Sequence, residues 1–380
     1  MKRLSVLMVV LVIVLCSGVA TQPKDESILS HIMSCVDSNL NKVRSGEVTF
    51  TIRREPTSEG RMVLPKAAKQ FLKEGFQGAD SILLEDLVVE EIVGRMVFSG
   101  TRFRIEARVQ RDEKFLMHAN TNHQKRSVIE TPLWISFDGK RFAYLSSTRQ
   151  GFITDKMEMP VPDLRVPHVL SICEHPSQPG WVSWSQTLRR AYDEGRLQLV
   201  RLESQAPRRI FVVKLLETAP RSDRLPSPYR LIYFKEEWGC MPAKIETYDV
   251  VPYQGRVVEW KKSESSVERV VPTGTGGWFP SFISEVTWGG ELGAPVTSPL
   301  VPVKRSWSTI ELSKPNARYS NKVFAPSFPP GTFVTDKLSN TYYVVRHPLV
   351  NVPTGIGALF MVVSLVGFIV WRIRSLKKQQ

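Results

Sequence analysis

The residues best suited to metal chemistry lie together in a proline-rich stretch. His168, Cys173 and His175 are possible ligands, with Glu174 between the last two. A zinc site needs three or four converging ligands, commonly at CxxC or HxxxH spacing, and these residues do not have that spacing. The prolines around them predict an extended surface loop instead. We therefore predict no metal site and no cofactor.

Residues for nucleophilic or acid/base catalysis are also poorly arranged. The chain has no Gly-x-Ser-x-Gly elbow of the hydrolase type. Neighbouring carboxylates, such as Glu90 with Glu91 and Glu236 with Glu237, point to opposite faces if they lie in strands, which is wrong for acid/base partners. The glycine-rich residues 274–277 precede a strand, whereas a phosphate loop opens a helix. The sequence thus predicts no catalytic set and a protein that is not an enzyme.

The amino-terminal end predicts export from the cytoplasm. Lys2 and Arg3 precede an apolar run, and Gly18, Val19 and Ala20 follow it. A charged start, an apolar stretch and small residues at the cleavage point are typical of a secretory signal. We therefore predict a signal peptide that is cleaved after Ala20.

A second apolar run near the carboxyl end predicts an anchor. Residues 355–371 form just enough helix to cross about 30 Å of hydrocarbon. Four cations follow and are expected to stay on the cytoplasmic side, namely Arg372, Arg374, Lys377 and Lys378. We predict a transmembrane helix over residues 353–373 and a cytoplasmic tail over 374–380. The protein would be tethered to the cell membrane by a single pass, with its ectodomain on the extracytoplasmic (periplasmic) side.

The charge pattern argues against nucleic acid as a partner. The formal net charge is +14, and six of the cations lie in the two terminal segments. The remaining Lys and Arg residues are scattered singly between apolar ones, without the run of like charges that marks a nucleic-acid arm. An exported ectodomain would not meet DNA either.

The cysteines limit the cross-links that are possible. Cys16 would leave with the signal, so the ectodomain keeps Cys35, Cys173 and Cys240. Three cysteines permit at most one intramolecular disulfide, and the pairing stays open. Cys35 falls on a helix near its apolar stripe, where a packed core cysteine is favoured over a reactive thiol. The hydrophobic core, and not a disulfide scaffold, must hold the fold.

The sequence predicts mainly strands, with a few helices between them. Apolar residues within 25–45 repeat at spacings of three and four, which predicts an amphipathic helix that Gly46 ends. From Val48 onward the apolar period becomes two, as in a half-buried strand. Residues 55–85 are predicted to be a helical insertion. A further helix is predicted between Ser183 and Gly195.

The strands predict the fold class. Asp138 and Gly139 give the strongest hairpin signal, and further strands follow one another up to residue 312. We predict a mainly β (α+β) fold, in which one large curved antiparallel sheet, or half-open barrel, covers a few helices. This domain is expected to span residues 21–318. Residues 319–352 are expected to form a small β unit and a linker to the membrane helix.

Three stretches carry a resemblance to a known family. They are SILSHIMSCVDSNLNKVRSGEVTFTI, YRLIYFKEEWGCMPAKIETYDVVPYQGRVVEW and GGWFPSFISEVTW. In order and pattern they resemble the periplasmic lipoprotein-carrier and lipoprotein-receptor family of outer-membrane lipoprotein sorting, with the related periplasmic regulator of an envelope-stress sigma factor. The chain also looks like large exported proteins of planctomycete-type bacteria. The likeness covers residues 25–315.

The resemblance implies a hydrophobic cavity between the half-barrel and its helices. Such a cavity takes a lipid or lipoprotein acyl chain, or an apolar face of another envelope protein. The apolar strand residues that face the helices would line it, namely Phe50, Phe103, Ile105, Trp134, Phe142, Phe211, Ile232 and Trp260. The family has no catalytic residues to carry over. Its carriers are small and diffuse freely, whereas this ectodomain is larger and is expected to be tethered.

These observations lead to one main functional hypothesis and two alternatives. The main hypothesis is a non-enzymatic, membrane-tethered envelope protein whose ectodomain binds an apolar ligand in the concavity of its sheet. Burial of an acyl chain contributes about 0.8 kcal/mol per CH₂ group without any catalytic residue. The alternatives are a tethered extracytoplasmic hydrolase or cell-wall enzyme, and a purely structural or interaction β module with a filled core.

Overall fold

The computed structural model of the chain describes ten segments. They are residues 23–62, 88–114, 126–147, 149–156, 162–166, 184–205, 208–217, 227–253, 256–289 and 300–346. The predicted signal peptide, transmembrane helix and cytoplasmic tail lie outside these segments, as do His168, Cys173 and His175. Within them, no helix combines the length and the hydrophobicity that crossing a membrane requires.

Two α-helices and fifteen strands lie wholly within these segments. The helices are α1 (Pro23–Lys42) and α2 (Trp184–Asp193). The strands are β1 (Ser45–Pro56), β2 (Val89–Ser99), β3 (Arg102–Lys114), β4 (Arg126–Phe137), β5 (Phe142–Ser147), β6 (Gln150–Thr154), β7 (Leu197–Gln205), β8 (Arg208–Leu216), β9 (Tyr229–Lys235), β10 (Met241–Tyr253), β11 (Arg256–Pro272), β12 (Trp278–Gly289), β13 (Val301–Ser313), β14 (Phe333–Asp336) and β15 (Thr341–Val344). Short 3-10 turns cover Glu236–Trp238 and Asn321–Val323.

These fifteen strands form one open sheet. Its order from edge to edge is β15-β14-β6-β5-β4-β3-β2-β1-β13-β12-β11-β10-β9-β8-β7. The mainly β fold with one large sheet is therefore confirmed. The sheet departs from the purely antiparallel prediction at β14, which runs parallel to β6. The first strand, β1, lies in the middle of the sheet between β2 and β13.

The sheet curls around one of its faces. Adjacent strands are about 4.8 Å apart, so β2 and β12, three spacings apart in the order, would be separated by about 14 Å in a flat sheet. The rings of Phe98 on β2 and Phe279 on β12 nevertheless have centroids only 6.3 Å apart. The side chains of these strands therefore converge, and we call the side on which they meet the concave face.

Two hydrophobic clusters fill the described part of the concave face. The first joins β1–β5 to β11–β13, and Leu164 and Val166 pack onto it from the segment 162–166. The second lies under the two helices, where Ile32 of α1 and Trp184 of α2 meet Phe234 of β9. The sheet therefore covers helices, as the sequence predicts.

A third cluster lies on the opposite, convex face. Trp134 of β4 and Leu145 of β5 pack there against Phe328 and Val334. The last two belong to residues 319–346, which we call the C-terminal unit. The rings of Trp134 and Phe328 have centroids 5.1 Å apart. The C-terminal unit thus docks on the convex face, and its β14 extends the sheet beside β6.

The first helix ends earlier than the sequence predicts. Lys42 is its last residue, and the carbonyl of Lys42 accepts hydrogen bonds from the Asn316 side-chain amide at 2.8 Å and from the Thr275 hydroxyl. Gly46 already lies inside β1. A Cβ atom there would lie 2.6 Å from Leu312 Cδ1, so the glycine lets β1 and β13 approach and does not end the helix. Residues 274–277 form the predicted loop, and Thr275 in it caps α1.

The Asp-Gly hairpin and the second helix are confirmed. Phe137 and Phe142 pair across the hairpin, and the Asp138 carboxylate accepts a hydrogen bond from the Arg141 backbone N–H at 2.8 Å. The predicted apolar side of α2 is buried. The chain after this helix turns at Gly195, whose φ of 68° favours glycine.

The predicted insertion is described only at its start. The β1 strand continues through Pro56, so residue 55 still belongs to the sheet. Thr57 then caps a helical turn at residues 58–62, with its hydroxyl accepting a hydrogen bond from the Gly60 N–H at 2.9 Å. Residues 63–87, which hold the rest of the predicted helix, lie outside the described segments.

Cys35 and Cys240 form a disulfide. Cys35 packs against the second cluster, and the pairing that the sequence left open forms because the apolar side of α1 lies over the turn that leads into β10. Cys240 follows the 3-10 turn and has a φ of 52°. The bond joins positions 205 residues apart and ties α1 to the sheet. Cys173 lies outside the described segments.

Candidate functional site: a trough on the convex face

Short side chains that pair across three neighbouring strands form a shallow strip on the convex face. Thr309 of β13, Thr51 of β1 and Val93 of β2 are direct partners in the sheet, which places their Cβ atoms about 5 Å apart. Thr49 lies beside them on the same face. All four side chains are short, and Val93 is 51 % exposed. A floor of short side chains, three threonines and one valine, therefore crosses the centre of the sheet.

Longer side chains enclose this floor and form a trough of about 960 Å³. That volume lies within the range of about 300–1,000 Å³ typical of small-ligand sites. The end wall is apolar and consists of Pro132, Trp134, Leu145 and Pro329. Charged groups also line it, and we call them the rim, namely Glu91, Arg95, Glu106, Arg108, Glu130 and Glu311. Glu106 and Arg108 of β3 stand between the floor and the apolar end wall, since they pair with β2 on one side and with Trp134 and Pro132 on the other.

Ion pairs hold part of the rim in place. Arg95 Nε lies 2.9 Å from Glu47 Oε1, and Arg108 Nη1 lies 3.4 Å from Glu130 Oε1. These pairs are exposed and contribute little to stability. They do keep both signs of charge beside the floor. A ligand with an apolar stretch and a polar head would meet complementary groups at both places.

The end wall is built from two parts of the chain. The Arg104 guanidinium lies 5.5 Å from the centroid of the Trp134 ring and donates a hydrogen bond to the Val323 carbonyl at 3.4 Å. Phe328 of the C-terminal unit packs on the same tryptophan. The C-terminal unit therefore fixes the indole that closes one end of the trough.

The structure disperses the eight predicted cavity residues. Four are buried in the first concave cluster, namely Phe50, Phe103, Ile105 and Phe142. Two are buried in the second concave cluster, namely Phe211 and Ile232. Trp134 is in the convex cluster, and Trp260 is half-buried on β11. Of the eight, Phe50 and Trp134 also line the trough.

Sequence reasoning missed the floor of the trough for a simple reason. Thr49, Thr51 and Val93 alternate with buried residues, and that alternation marks them as solvent-facing. The trough arises only because β13, β1 and β2 bring short side chains into one row. The available signal was the cluster of β-branched residues on the polar faces of strands that prove to be neighbours.

A polar cluster on the convex face surrounds Glu246. Its carboxylate accepts hydrogen bonds from the Tyr233 hydroxyl at 2.9 Å and from Lys261 Nζ at 2.8 Å, and it lies 2.7 Å from Lys244 Nζ. Burial alone would raise the pKa of this carboxyl, but the hydrogen bonds from Lys244, Lys261 and Tyr233 outweigh burial and lower the pKa to about 2. Burial and the Glu246 charge raise the pKa of Tyr233 to about 12. The ionised carboxylate thus joins neighbouring strands through hydrogen bonds and ion pairs, which is a structural role.

A charged group also lies on the concave face. The buried Arg165 guanidinium donates to the carbonyls of Pro242 and Ser265 at 3.0 and 3.1 Å. Burial, followed by the negative charge of Asp163, raises the pKa of Glu285. A carboxyl with a raised pKa is what the hydrolase alternative would need as a general acid. Glu90 is engaged differently, in ion pairs with Arg54 and Arg111, and the exposed Glu91 faces the other side of β2, as predicted.

Glu236 and Glu237 lie in a 3-10 turn and not in a strand, which corrects the assumption made for them. Glu236 Oε1 is 2.9 Å from His31 Nε2. Across the part of the chain that the structure describes, no group of three or more His, Cys, Asp or Glu side chains is arranged to hold a metal ion.

Comparison with known proteins finds similarity in structure only. No protein-family model matches the chain, and no curated protein does. A DUF1329 family protein from Desulfovibrio piger aligns over 78 % of this chain and 97 % of its own, with 6 % identity and a TM-score of 0.34. An outer membrane lipoprotein-sorting protein domain from Vibrio parahaemolyticus aligns over 76 % of this chain and 94 % of its own, with 8 % identity and a TM-score of 0.32. The second has the name of the family that the sequence resembles.

Proposed function

We propose that this protein is an exported, membrane-tethered envelope protein that binds an acyl chain of a lipid or lipoprotein in the trough. The observation that carries the proposal is a trough of about 960 Å³ that has a floor of short side chains, an apolar end wall and charged groups beside both. The protein would act by burying the chain, without catalysis. The polar head of the ligand would remain among the rim charges.

The energetics of such a site are adequate. Burial of eight CH₂ groups contributes about 6 kcal/mol at about 0.8 kcal/mol each. That free energy corresponds to a dissociation constant in the range of tens of micromolar. Contacts of the head group with Arg95 and Arg108 would add to it. The trough therefore needs no enclosed cavity in the concave core to hold a chain.

The proposed location is supported by the disulfide and by the ends of the sequence. Disulfides such as Cys35–Cys240 persist in oxidising compartments and are rare in the cytoplasm. We retain the signal peptide over 1–20, the membrane helix over 353–373 and the tail over 374–380 as parts of the proposal. The division at residues 318 and 319 is also kept, with the C-terminal unit docked on the larger domain.

Two valines of matched exposure allow a direct test. Val93 on the trough floor is 51 % exposed, and Val257 on β11, outside the trough, is 49 % exposed. We expect Val93→Asp to lower the affinity for a fluorescent long-chain fatty acid at least about tenfold, because a carboxylate on the floor opposes apolar burial. Val257→Asp should bind like the natural protein. Native mass spectrometry of protein purified without detergent would show whether a bound lipid disappears in the first variant only.

Other results would point to other functions. Equal binding by the two valine variants would remove the trough as the site. Loss of binding in Phe103→Asp or Ile105→Asp, in protein that stays folded, would place the ligand in the concave cavity expected from the sequence. Absence of any lipid uptake would leave binding of an apolar protein segment, or a structural role. Phe103→Ala would then cost stability alone, about 3–5 kcal/mol.

A further inference from the structure

The hairpin of β14 and β15 leaves one of its faces bare. Phe333 and Val344 are direct partners across it and are 43 % and 57 % exposed, and the neighbouring Tyr342 is 64 % exposed. The rings of Phe333 and Tyr342 stack with centroids 6.1 Å apart. Leu338 in the turn is exposed as well. We call Phe333, Leu338, Tyr342 and Val344 the hairpin patch.

The other face of the hairpin is what holds it to the protein. Val334 alternates with the patch residues and is buried in the convex cluster with Trp134 and Leu145. The Phe333 N–H also donates to the Arg149 carbonyl at 2.8 Å. The hairpin is therefore a fixed part of the sheet edge, and its patch is presented by a rigid support.

The length of chain beyond the hairpin places it near a membrane. Arg346 is the last described residue, and the proposed membrane helix begins at residue 353. Seven residue steps of at most about 3.6 Å span no more than about 25 Å. This limit on the distance to the membrane rests on the membrane tether of the proposed function. Given that tether, Arg346, which is two residues beyond Val344 of the patch, lies within about 25 Å of the bilayer surface.

The composition of the hairpin fits the boundary between lipid head groups and acyl chains. Tyrosine is enriched there, and cations nearby favour anionic lipid. The exposed Lys337 and Arg346 supply such cations. The acid in the turn is engaged locally, because the Asp336 carboxylate accepts a hydrogen bond from the Leu338 N–H at 2.9 Å.

We infer that the hairpin patch inserts its apolar side chains into the interface of the membrane that anchors the chain. The inserted hairpin would give the ectodomain one orientation on the bilayer. Phe333, Tyr342 and Val344 alternate with the buried Val334, so they face the side of the sheet opposite to the trough.

Depth-dependent quenching tests the inference on the full chain. Tyr342→Cys and Leu338→Cys would each be labelled with the environment-sensitive fluorophore NBD in a Cys173→Ser background. The protein would be reconstituted into vesicles of phosphatidylethanolamine and phosphatidylglycerol, with a nitroxide on the lipid acyl chain. Val257→Cys, at an exposed site on β11, serves as the matched control.

We expect lipid nitroxides to quench the labels at 342 and 338 several-fold more than the label at 257. Quenching equal to that at 257, while the protein resists carbonate extraction, would overturn the inference and leave the proposed tether intact. Release of the protein by carbonate would refute the tether, and the inference with it. Disulfide cross-links between two copies at position 342 would show that β15 pairs with a second copy of the chain, which would also overturn membrane insertion.

Discussion

Individual side chains on the convex face differ in what they contribute. Val93 has the short Thr51 on one side and Arg108 on the other, and its exposed side chain is open to a ligand. Glu246, on the same face, is enclosed by two lysines and a tyrosine and has no such freedom. The carboxylate stabilises the sheet by joining side chains from β9, β10 and β11. A residue of this kind is expected to affect stability and not ligand affinity.

Replacement of this carboxylate tests that expectation. A folded-state pKa of about 2, below the ordinary glutamate value of 4.5, means that ionised Glu246 stabilises the folded state above pH 4.5. That contribution is lost as the pH falls from about 4.5 to about 2. Glu246→Gln should lower the free energy of unfolding at pH 7 by about 2 kcal/mol and flatten its decline between those pH values. Urea denaturation across this range measures both effects.

Glu203→Gln is the control for this prediction, since Glu203 is an exposed partner of Arg201. It should leave stability and its pH dependence nearly unchanged. If Glu246→Gln behaved in the same way, the cluster around Glu246 would not stabilise the fold.

Sequence reasoning identified neither the open position of Val93 nor the stabilising role of Glu246. Glu246 follows an ordinary alternating pattern, and its donors come from strands whose register could not be read from local periodicity.

At the scale of elements, the segment 162–166 packs on the concave face of the sheet and binds to strands β10 and β11. Leu164 and Val166 enter the first cluster, while Arg165 between them is buried and bonds to two strand carbonyls. A buried arginine is tolerated here because it satisfies backbone acceptors on β10 and β11. The segment thus closes over apolar residues that include Phe103 and Phe142.

Removal of that guanidinium should loosen the segment. Arg165→Met is expected to lower the free energy of unfolding by about 2–4 kcal/mol, because two buried carbonyls lose their donor. Chemical denaturation measures the loss. The exposed Arg201 gives a comparison through Arg201→Met, which should cost less than about 0.5 kcal/mol. Equal losses in the two variants would mean that Arg165 does not hold the segment.

Local sequence patterns predicted some elements correctly and missed the boundary of one helix. The hairpin at Asp138, the helix α2 and most strands after Leu197 were predictable, because turn residues and apolar periodicity act over short distances. The helix boundary at Lys42 was not. It depends on Thr275 and Asn316, which reach it from loops far along the chain. Six of the eight predicted cavity residues lie on the concave face, and the sequence did not reveal the trough on the opposite face.

At the scale of the whole molecule, one covalent bond joins the first helix to a late part of the sheet. The Cys35–Cys240 bond closes a loop between positions 205 residues apart. Cross-links over long loops restrict the unfolded chain most. Cys35→Ala with Cys240→Ala should therefore lower stability by about 2–5 kcal/mol. Thermal unfolding of the double variant, and of the natural protein with a reductant, measures the effect.

Cys173, which lies outside the described residues, provides the control for this prediction. Cys173→Ser should leave the melting temperature unchanged, since the described bond uses the other two cysteines. A natural protein whose melting temperature did not respond to reductant would contradict the stabilising role of the bond. The pairing was not predictable from three cysteines alone. It required α1 to lie across the start of β10, which only the assembled fold determines.

The position of β1 in the sheet has a consequence for how the protein is made. Under the proposed export, this strand would be among the first parts of the chain to leave the cytoplasm, yet its partner β13 ends at Ser313. Strand β6 likewise waits for β14. Contacts between such distant segments form slowly, and unpaired strand edges invite aggregation in the meantime. Throughout export, the half-made sheet needs protection, and an envelope chaperone that covers β1 until the last strands arrive would provide it.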